Sequence, residues 1–219
     1  MSRFRLVVFD LDGTLVDSRR DIAESANATL ASFGATPLAE DAIGRMVGNG
    51  APSLVARAFE AAGVSQPDGA LDRFLSIYDA RLLEHTRPYP GMIDVLAAIA
   101  DRVSLGVLTN KPLGATRHIL EGLDLTRFFT SDLTIAGDGA FPRKPDPAGL
   151  SHLIAVGGSS PAETVLVGDS IIDWRTAAAA NTRACLARYG FGWEGFPIEE
   201  LSPDDWVIDR PSQLLRLLQ

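Results

Sequence analysis

The sequence predicts an α/β protein that is built on a parallel sheet and carries a helical segment inserted after the first strand. Short apolar runs alternate with helix-like patterns in the second half of the chain, which is typical of βαβ units. These runs span residues 103–108, 133–136, 164–167 and 184–187, with a weaker candidate at 205–208. An isolated run from Leu6 to Asp10 has the same apolar character, so we expect it to join this sheet.

Residues 16–86 lack a strand pattern and are predicted to form a helical insertion. Apolar residues recur at helical spacing in three stretches, around Ile22, Leu54 and Phe74, and glycines separate the stretches. A proline-rich segment, residues 86–91, marks the return to the sheet. The pattern therefore predicts two domains, a sheet core of residues 1–15 and 87–219 and a helical domain of residues 16–86.

The composition is that of an ordinary globular protein and excludes several classes of partner. The chain has 219 residues, of which 46% are hydrophobic and 22% charged, and its formal net charge is −8. A nucleic-acid partner would require a basic face, and no apolar run is long enough for a membrane span or a signal-peptide core. The single cysteine, Cys185, cannot form an internal disulfide. We expect a cytoplasmic monomer or homodimer that binds neither nucleic acid nor membrane.

Two acidic residues, Asp10 and Asp12, follow the first apolar run directly, and Gly13 comes next. Open α/β folds bind ligands at the carboxyl edge of the sheet, where this strand would end. Carboxylates this close repel each other and lose hydration, which favours a hard divalent cation between them. The alternative is a simple turn, since Asp-Gly is a common turn dipeptide.

Polar residues also follow the run at 103–108 and precede a predicted helix near residue 147. Thr109 and Asn110 supply a hydroxyl, an amide and backbone N–H groups, which are the parts of an anion site or of an ordinary helix cap. Lys144 precedes Pro145 in a stiff loop, where a fixed cation could neutralise phosphate and carboxylate charge; a solvated surface lysine is the alternative.

A second acidic pair, Asp169 and Asp173, follows the run at 164–167. The two residues are four apart, so on a helical turn both side chains can point toward one spot. Either could instead cap a helix. Together with Asp10 and Asp12, they indicate a magnesium site at the sheet edge.

In this order, the polar segments resemble the four motifs of the haloacid dehalogenase superfamily, and the match spans nearly the whole chain. The segments are residues 10–14 (Asp-Leu-Asp-Gly-Thr), Thr109-Asn110, Lys144-Pro145, and Gly168-Asp169-Ser170 with Asp173. The resemblance implies a Rossmann-like core with a helical cap inserted after the first strand, where residues 16–86 lie.

The resemblance also implies a role for each motif residue in phosphoryl transfer. Asp10 would be the nucleophile that forms an aspartyl phosphate, and Asp12 would act first as general acid and then as general base. Thr109 and the amides near Asn110 would hold the phosphoryl oxygens. Lys144 would balance the negative charge of Asp10 and the phosphate.

The cofactor that the resemblance implies is Mg²⁺. Its ligands would be the Asp10 carboxylate, the Asp12 backbone carbonyl and Asp169, with Asp173 in support either directly or through water. The substrate would be a small phosphorylated metabolite.

The insertion contains Val47-Gly48-Asn49-Gly50-Ala51, and the sheet core contains Tyr89-Pro90-Gly91 and Tyr189-Gly190-Phe191. Within the superfamily, these three segments resemble those of phosphoglycolate phosphatases. The segment Gly48-Asn49-Gly50 could present backbone N–H groups and a side-chain amide to a substrate carboxylate, and Arg45 could add positive charge. We therefore expect 2-phosphoglycolate as the substrate. The residues expected to bind substrate are Gly13, Thr14, Arg45, Gly48, Asn49, Gly50 and Asn110.

The sequence leaves alternatives to this function open. A phosphatase for another ester, a pyrophosphatase or a sugar phosphomutase would share the fold, whereas a receiver-like regulatory protein would carry a phospho-aspartate without turnover. The second acid, Asp12, and the large insertion argue against the receiver. Asp12 also excludes a dehalogenase, and the lack of lysine in residues 16–86 disfavours phosphonate cleavage.

Overall fold

A parallel sheet forms the centre of the molecule in the computed structural model, which describes residues 3–194 and 196–218. In chain order the strands are β1 (Leu6–Phe9), β2 (Val16–Asp17), β3 (Arg87–Pro88), β4 (Ser104–Leu108), β5 (Thr134–Ile135), β6 (Thr164–Gly168), β7 (Arg183–Ala187) and β8 (Trp206–Ile208). Six of them pair in the order β5-β4-β1-β6-β7-β8, and every pairing in this sheet is parallel. The predicted α/β class is confirmed.

Helices surround this sheet and fill the insertion. Those within residues 16–86 are α1 (Arg19–Ser32), α2 (Glu40–Gly44), α3 (Ala51–Ala61) and α4 (Ala70–Asp79). Those of the remainder are α5 (Met92–Ile99), α6 (Leu113–Gly122), α7 (Ala148–Val156), α8 (Ile171–Ala179) and α9 (Leu214–Leu217). Short 3₁₀ turns occupy Ser131–Leu133, Pro161–Glu163, Ile198–Glu200 and Pro211–Gln213.

The central strand β1 is apolar throughout because both of its faces are covered. Val7 and Phe9 contribute to the larger hydrophobic core, whereas Leu6 and Val8 contribute to a second core together with Leu150 of α7. Strands of parallel sheets buried on both faces read as continuous apolar runs rather than alternating ones. This is why the position of β1 could be predicted from four residues.

The two chain segments that connect the insertion to the sheet pair with each other. Residues Val16 and Asp17 of β2 form an antiparallel ladder with Pro88 and Arg87 of β3. The expectation that residues 16–86 contain no convincing strand was therefore wrong for β2, because a two-residue strand leaves no readable pattern, whereas β3 begins just after that range. Strand β5 is likewise shorter than the apolar run at 133–136 that predicted it.

A buried carboxylate fastens the first helix of the insertion to this return segment. Asp21 of α1 is fully buried and accepts hydrogen bonds from the backbone N–H groups of His85 and Thr86 and from the Thr86 hydroxyl, at 2.7–3.0 Å. A buried carboxylate is tolerated only where such donors replace its hydration.

Among the described residues, no helix is both long and apolar enough to cross a lipid bilayer.

The substitution Asp21→Ala is expected to lower the free energy of unfolding by about 3 kcal/mol, because it leaves two backbone N–H groups without an acceptor. Urea denaturation followed by circular dichroism measures this change. Asp72→Ala, which removes an exposed carboxylate from α4, is the matched control and should change stability by less than about 0.5 kcal/mol. Equal effects of the two substitutions would contradict the anchoring role of Asp21.

Candidate active site

Three adjacent strands end at one place and deliver polar residues there. Asp10 follows β1, Thr109 follows β4 and Asp169 follows β6, and all three residues are at most 6% exposed. Backbone hydrogen bonds continue the sheet to these positions, from Asp10 N to Val167 O at 2.8 Å and from Thr109 N to Ile135 O at 3.0 Å. The side chains that were predicted to meet at the carboxyl edge of the sheet therefore do so.

Lys144 lies in the middle of the acidic cluster. Its Nζ is 2.7 Å from Asp10 Oδ1 and 2.6 Å from Asp173 Oδ1, and its side chain is 2% exposed. The interpretation of Lys144 as a solvated surface residue is thus excluded. The other oxygen of Asp173, Oδ2, accepts hydrogen bonds from the backbone N–H and hydroxyl of Ser170 in a capping box at the start of α8. Both oxygens of Asp173 are therefore engaged within the protein.

Burial dominates the electrostatics of this cluster. It raises the pKa of Asp10 to about 7, although Lys144 opposes this shift, and it holds the pKa of Asp169 well above its usual range. Burial also disfavours the charge of Lys144, but Asp10 and Asp173 outweigh it and keep the pKa of this ammonium above its ordinary value. Lys144 is therefore a permanent cation, whereas burial disfavours the ionised forms of Asp10 and Asp169.

The donor set of the cluster fits a hard divalent cation. Carboxylate oxygens of Asp10, Asp169 and Asp173 lie within 4.8 Å of one another. One lysine cannot balance three buried carboxylates, and burial, with repulsion from the neighbouring carboxylates, raises the pKa of Asp10 and Asp169. Because Asp173 already binds Lys144 and Ser170, Asp10 and Asp169 are the better candidates for direct ligands.

Close backbone packing fixes the orientation of Asp169. The N–H of Gly192 donates to Asp169 Oδ2 at 2.7 Å. Gly13 has a φ of +83°, and a Cβ atom at this position would lie only 1.9 Å from the same oxygen. Gly13 thus allows Asp169 to pack closely against the backbone, and it also permits the turn after β1.

Asp12 contacts a lysine that the sequence analysis did not assign. Lys111 Nζ lies 3.0 Å from both carboxylate oxygens of Asp12, and the Ser18 hydroxyl donates to Oδ1 at 2.5 Å. Lys111 also donates to the hydroxyl of Tyr78, which α4 of the insertion brings over the site. Lys111 and Tyr78 are both buried. Asp12 is therefore held by one residue of the core and one that precedes α1.

The side chain of Asn110 joins the insertion to the core instead of pointing freely into the site. Its Oδ1 accepts from Lys144 N at 2.8 Å, and its Nδ2 donates to Lys144 O at 2.9 Å and to Gly48 O at 2.8 Å. These bonds use the oxygen and both amide protons. Any contact of Asn110 with a ligand is thus left to its backbone.

A cleft that is partly open to solvent lies between the sheet edge and the insertion. Predicted site residues that line it are Asp10, Asp12, Gly48, Gly50, Thr109, Asn110 and Asp169. Its wall on the side of the insertion is apolar and includes Val47, Leu54 and Phe74. The other predicted residues, namely Gly13, Thr14, Arg45, Asn49, Lys144 and Asp173, support the site from outside this lining or lie away from it.

Two residues expected to bind a substrate carboxylate point elsewhere in this structure. The amide of Asn49, oriented with its oxygen toward Arg57, accepts a hydrogen bond from that guanidinium at 2.9 Å. Arg45 is half exposed and pairs with Glu194 at 3.1 Å. Asn49 lies within the Gly48–Gly50 loop and Arg45 precedes it, but position in a loop does not determine which way a side chain points.

Thr14 is buried beneath the site, and its carbonyl accepts a hydrogen bond from the Tyr189 hydroxyl at 3.1 Å.

One compositional signal could have identified Lys111. The chain has only two lysines, against eighteen arginines, and both lysines are buried at this site. The contact of Lys111 with Tyr78 could not have been predicted in this way, because the two residues are far apart in sequence and belong to different parts of the fold.

Comparison with known proteins agrees with this geometry. A family model described as haloacid dehalogenase-like hydrolase matches residues 7–187. A phosphoglycolate phosphatase from Rhodospirillum rubrum is 42% identical over 199 residues, which cover 87% of this chain and 82% of the relative. A phosphoglycolate phosphatase from Haemophilus influenzae is 34% identical over 227 aligned positions that cover 99% of both chains.

A solved structure described as a predicted phosphoglycolate phosphatase from Haemophilus somnus has a TM-score of 0.91 and 30% identity, with both chains fully covered. The similarity confirms the Rossmann-like fold over its whole length. Because the family model covers most of the chain and the curated relatives exceed 30% identity, the protein belongs to the haloacid dehalogenase-like hydrolase family.

Proposed function

We propose that the protein is a magnesium-dependent phosphatase that hydrolyses 2-phosphoglycolate through an aspartyl phosphate on Asp10. The observation that carries this proposal is the pairing of two carboxylates with two ammonium groups at one sheet edge, Asp10 with Lys144 and Asp12 with Lys111. Phosphoryl transfer needs a nucleophile, a proton donor and positive charge around the transferred group, and this arrangement offers all three.

In the first half of the reaction, a carboxylate oxygen of Asp10 attacks phosphorus and the bond to the leaving oxygen breaks. Asp12, in its acid form, gives its proton to that oxygen, so the alcohol leaves uncharged. Lys144 holds Oδ1 of Asp10 at 2.7 Å and restricts rotation of the nucleophile. Its permanent charge also offsets the repulsion between this carboxylate and the phosphate dianion.

In the second half, Asp12 takes a proton from water, which attacks phosphorus and releases inorganic phosphate from Asp10. The hydrogen bonds from Ser18 and Lys111 keep the Asp12 carboxylate fixed beside Asp10 for both steps. Thr109 lies buried after β4 in the lining of the cleft, and its hydroxyl would bind a phosphoryl oxygen.

Mg²⁺ bound by Asp10, Asp169 and the Asp12 carbonyl would supply further positive charge for the phosphoryl oxygens and for the nucleophile. Asp173 contributes by holding Lys144 and the start of α8, since both of its oxygens are engaged. Asp169 is fixed for such a role by the Gly192 N–H.

The helical insertion, residues 16–86, would act as a cap over this site. Its apolar wall, formed by Val47, Leu54 and Phe74, faces the charged sheet edge across the cleft. Closure against such a wall would exclude bulk water and strengthen the electrostatic interactions with the phosphate. The antiparallel β2–β3 pair joins the insertion to the sheet by two adjacent strands, which is a suitable place for a hinge.

The choice of 2-phosphoglycolate is supported by the names of the relatives from Rhodospirillum rubrum and Haemophilus influenzae, both phosphoglycolate phosphatases. The deciding experiment measures kcat/KM of the purified protein with Mg²⁺ for a panel of small phosphate monoesters and pyrophosphate. Preference for 2-phosphoglycolate supports the substrate. Preference for another ester would retain the phosphatase and reject the substrate.

The substitution Asp10→Asn should lower kcat at least about 1,000-fold, because an amide oxygen is a poor nucleophile and covalent catalysis is lost. Acid quenching during turnover of labelled substrate should detect phosphoenzyme in the unmodified protein and none in the variant. Asp94→Asn, an exposed position of α5, serves as the control and should retain activity. Substantial turnover by Asp10→Asn would disprove the mechanism.

The substitution Asp12→Asn should separate the two halves of the reaction. An aryl phosphate with a good leaving group needs no proton donor and should still phosphorylate Asp10, after which hydrolysis stops because no base is present. Mass spectrometry of the intact variant should therefore show one retained phosphoryl group. If the variant instead fails to become phosphorylated by any ester, Asp12 has a structural role only.

Stabilisation of the fold by Mg²⁺ should increase with pH. Burial raises the pKa of Asp10 from 3.8 to about 7 and also raises that of Asp169, so the metal-free fold loses stability as the pH rises between these values. Cation binding competes with the protons and restores that stability. The increase in Tm on adding MgCl₂ should be larger at about pH 8 than at about pH 5.

Asp169→Asn is the control for this measurement, because it removes a proposed ligand and should reduce the Mg²⁺-dependent increase in Tm. An increase in Tm that is the same at both pH values, or larger in acid, would contradict the assignment of these carboxylates as metal ligands.

A further inference from the structure

We propose that Lys111 and Tyr78 form the subsite that recognises the carboxylate of the substrate, an inference that rests on the proposed phosphatase function. A substrate with a second anionic group needs a cation other than Lys144, which serves the phosphoryl group in the proposed mechanism and is not among the residues that line the cleft. Among the described residues that line the cleft, Lys111 alone carries a positive charge. The positive charge needed to bind a substrate carboxylate is therefore supplied by the core side of the cleft.

The use of lysine in this chain supports a dedicated role for this residue. Lys111 and Lys144 are the only two lysines, and the other eighteen basic side chains are arginines. Surface solubility and exposed ion pairs are thus supplied by arginine, and the ammonium group is confined to the site. Its three donors are directed to the two Asp12 oxygens and to Tyr78, and its compact charge acts on any anion bound beside them.

The direction of the hydrogen bond between Lys111 and Tyr78 leaves the Tyr78 hydroxyl as a donor for the ligand. An ammonium group has no acceptor, so Lys111 donates to the Tyr78 oxygen, and the phenolic proton must point to another acceptor. Burial raises the pKa of Tyr78 well above its usual value, so this proton is retained. The pair thus presents the positive charge of Lys111 and the O–H of Tyr78, which together complement a carboxylate.

Both donors are held in place before a ligand binds. The Tyr78 ring stacks on Phe74 with centroids 5.5 Å apart, and Lys111 Nζ lies 4.5 Å from the Tyr78 ring centroid. The carboxylate of Asp12 fixes the same Nζ at 3.0 Å. Such fixed donors reduce the entropic cost of binding a small anion.

The position of Lys111 relative to Asp12 suits the length of 2-phosphoglycolate. In the proposed mechanism Asp12 protonates the bridging oxygen, and the carboxylate of this substrate is one methylene beyond that oxygen. Lys111 Nζ is hydrogen-bonded to the Asp12 carboxylate, so its charge lies next to the group that would protonate this oxygen. Because Tyr78 belongs to α4 and Lys111 follows β4, a carboxylate bound between them would also join the insertion to the core.

The first test compares kcat/KM for 2-phosphoglycolate with that for ethyl phosphate, an alkyl ester without the carboxylate. Tyr78→Phe should reduce the value for 2-phosphoglycolate about 10-fold more than the value for ethyl phosphate. Lys111→Met should do so by about 100-fold or more. Any effect of Lys111→Met on Asp12 cancels in this ratio, because both esters have poor leaving groups and need the same proton.

Tyr189→Phe is the matched control, since it removes a tyrosine hydroxyl bonded to Thr14 O outside the cleft lining. It should leave the ratio between the two substrates unchanged. A preference for 2-phosphoglycolate that persists in Tyr78→Phe and Lys111→Met overturns the subsite. Absence of that preference in the unmodified protein instead rejects the proposed substrate.

The second test needs no turnover and uses the presence of only two lysines. Labelling with [¹³Cε]lysine should give two side-chain NMR signals, which Lys111→Arg assigns. In the Asp10→Asn protein, 2-phosphoglycolate should shift both signals, whereas ethyl phosphate should shift that of Lys144 alone. A Lys111 signal that responds equally to both esters, or to neither, overturns the proposal.

Discussion

The burial of an acidic cluster at the edge of a parallel sheet is the constraint on which the rest of the site depends. Asp10, Asp169 and Asp173 lose most of their hydration. In the described part of the chain, Lys144 is the only positively charged group that lies among them. Such a cluster persists only if its remaining oxygens are bonded or bound to a cation. The protein itself supplies hydrogen bonds to these oxygens through the capping box at Ser170 and the Gly192 N–H.

The same constraint explains why glycines surround the cluster. Gly13 and Gly190 approach Asp169 so closely that a Cβ on either would lie within 2.5 Å of that side chain. Gly168 stands in the same relation to Asp173. The backbone can thus replace water around the carboxylates without leaving voids, and the turn after β1 needs the positive φ of Gly13 for a packing reason as well as a conformational one.

Sequence reasoning succeeded where a general rule relates pattern to position. Continuous apolar runs located the buried strands, and the rule that parallel strands end at one edge predicts that Asp10, Thr109 and Asp169 lie close together. It failed where the outcome depends on the direction of a long side chain. Arg45 and Asn49 stand at the expected loop but bind Glu194 and Arg57 instead of facing the cleft.

Lys111 illustrates a different limit, because it follows Asn110 directly and was still unassigned. Its importance depends on Tyr78, which lies 33 positions away on another part of the fold, and periodicity along one chain segment cannot reveal such a meeting. The sequence predicts that the Gly48-Asn49-Gly50 loop and Arg45 of the insertion bind the substrate carboxylate. The only cation in the described lining of the cleft belongs instead to the core, and the insertion adds a hydroxyl beside it. Substrate selection would then depend on the interface between the insertion and the core. Closure of the insertion and recognition of the substrate would therefore occur together.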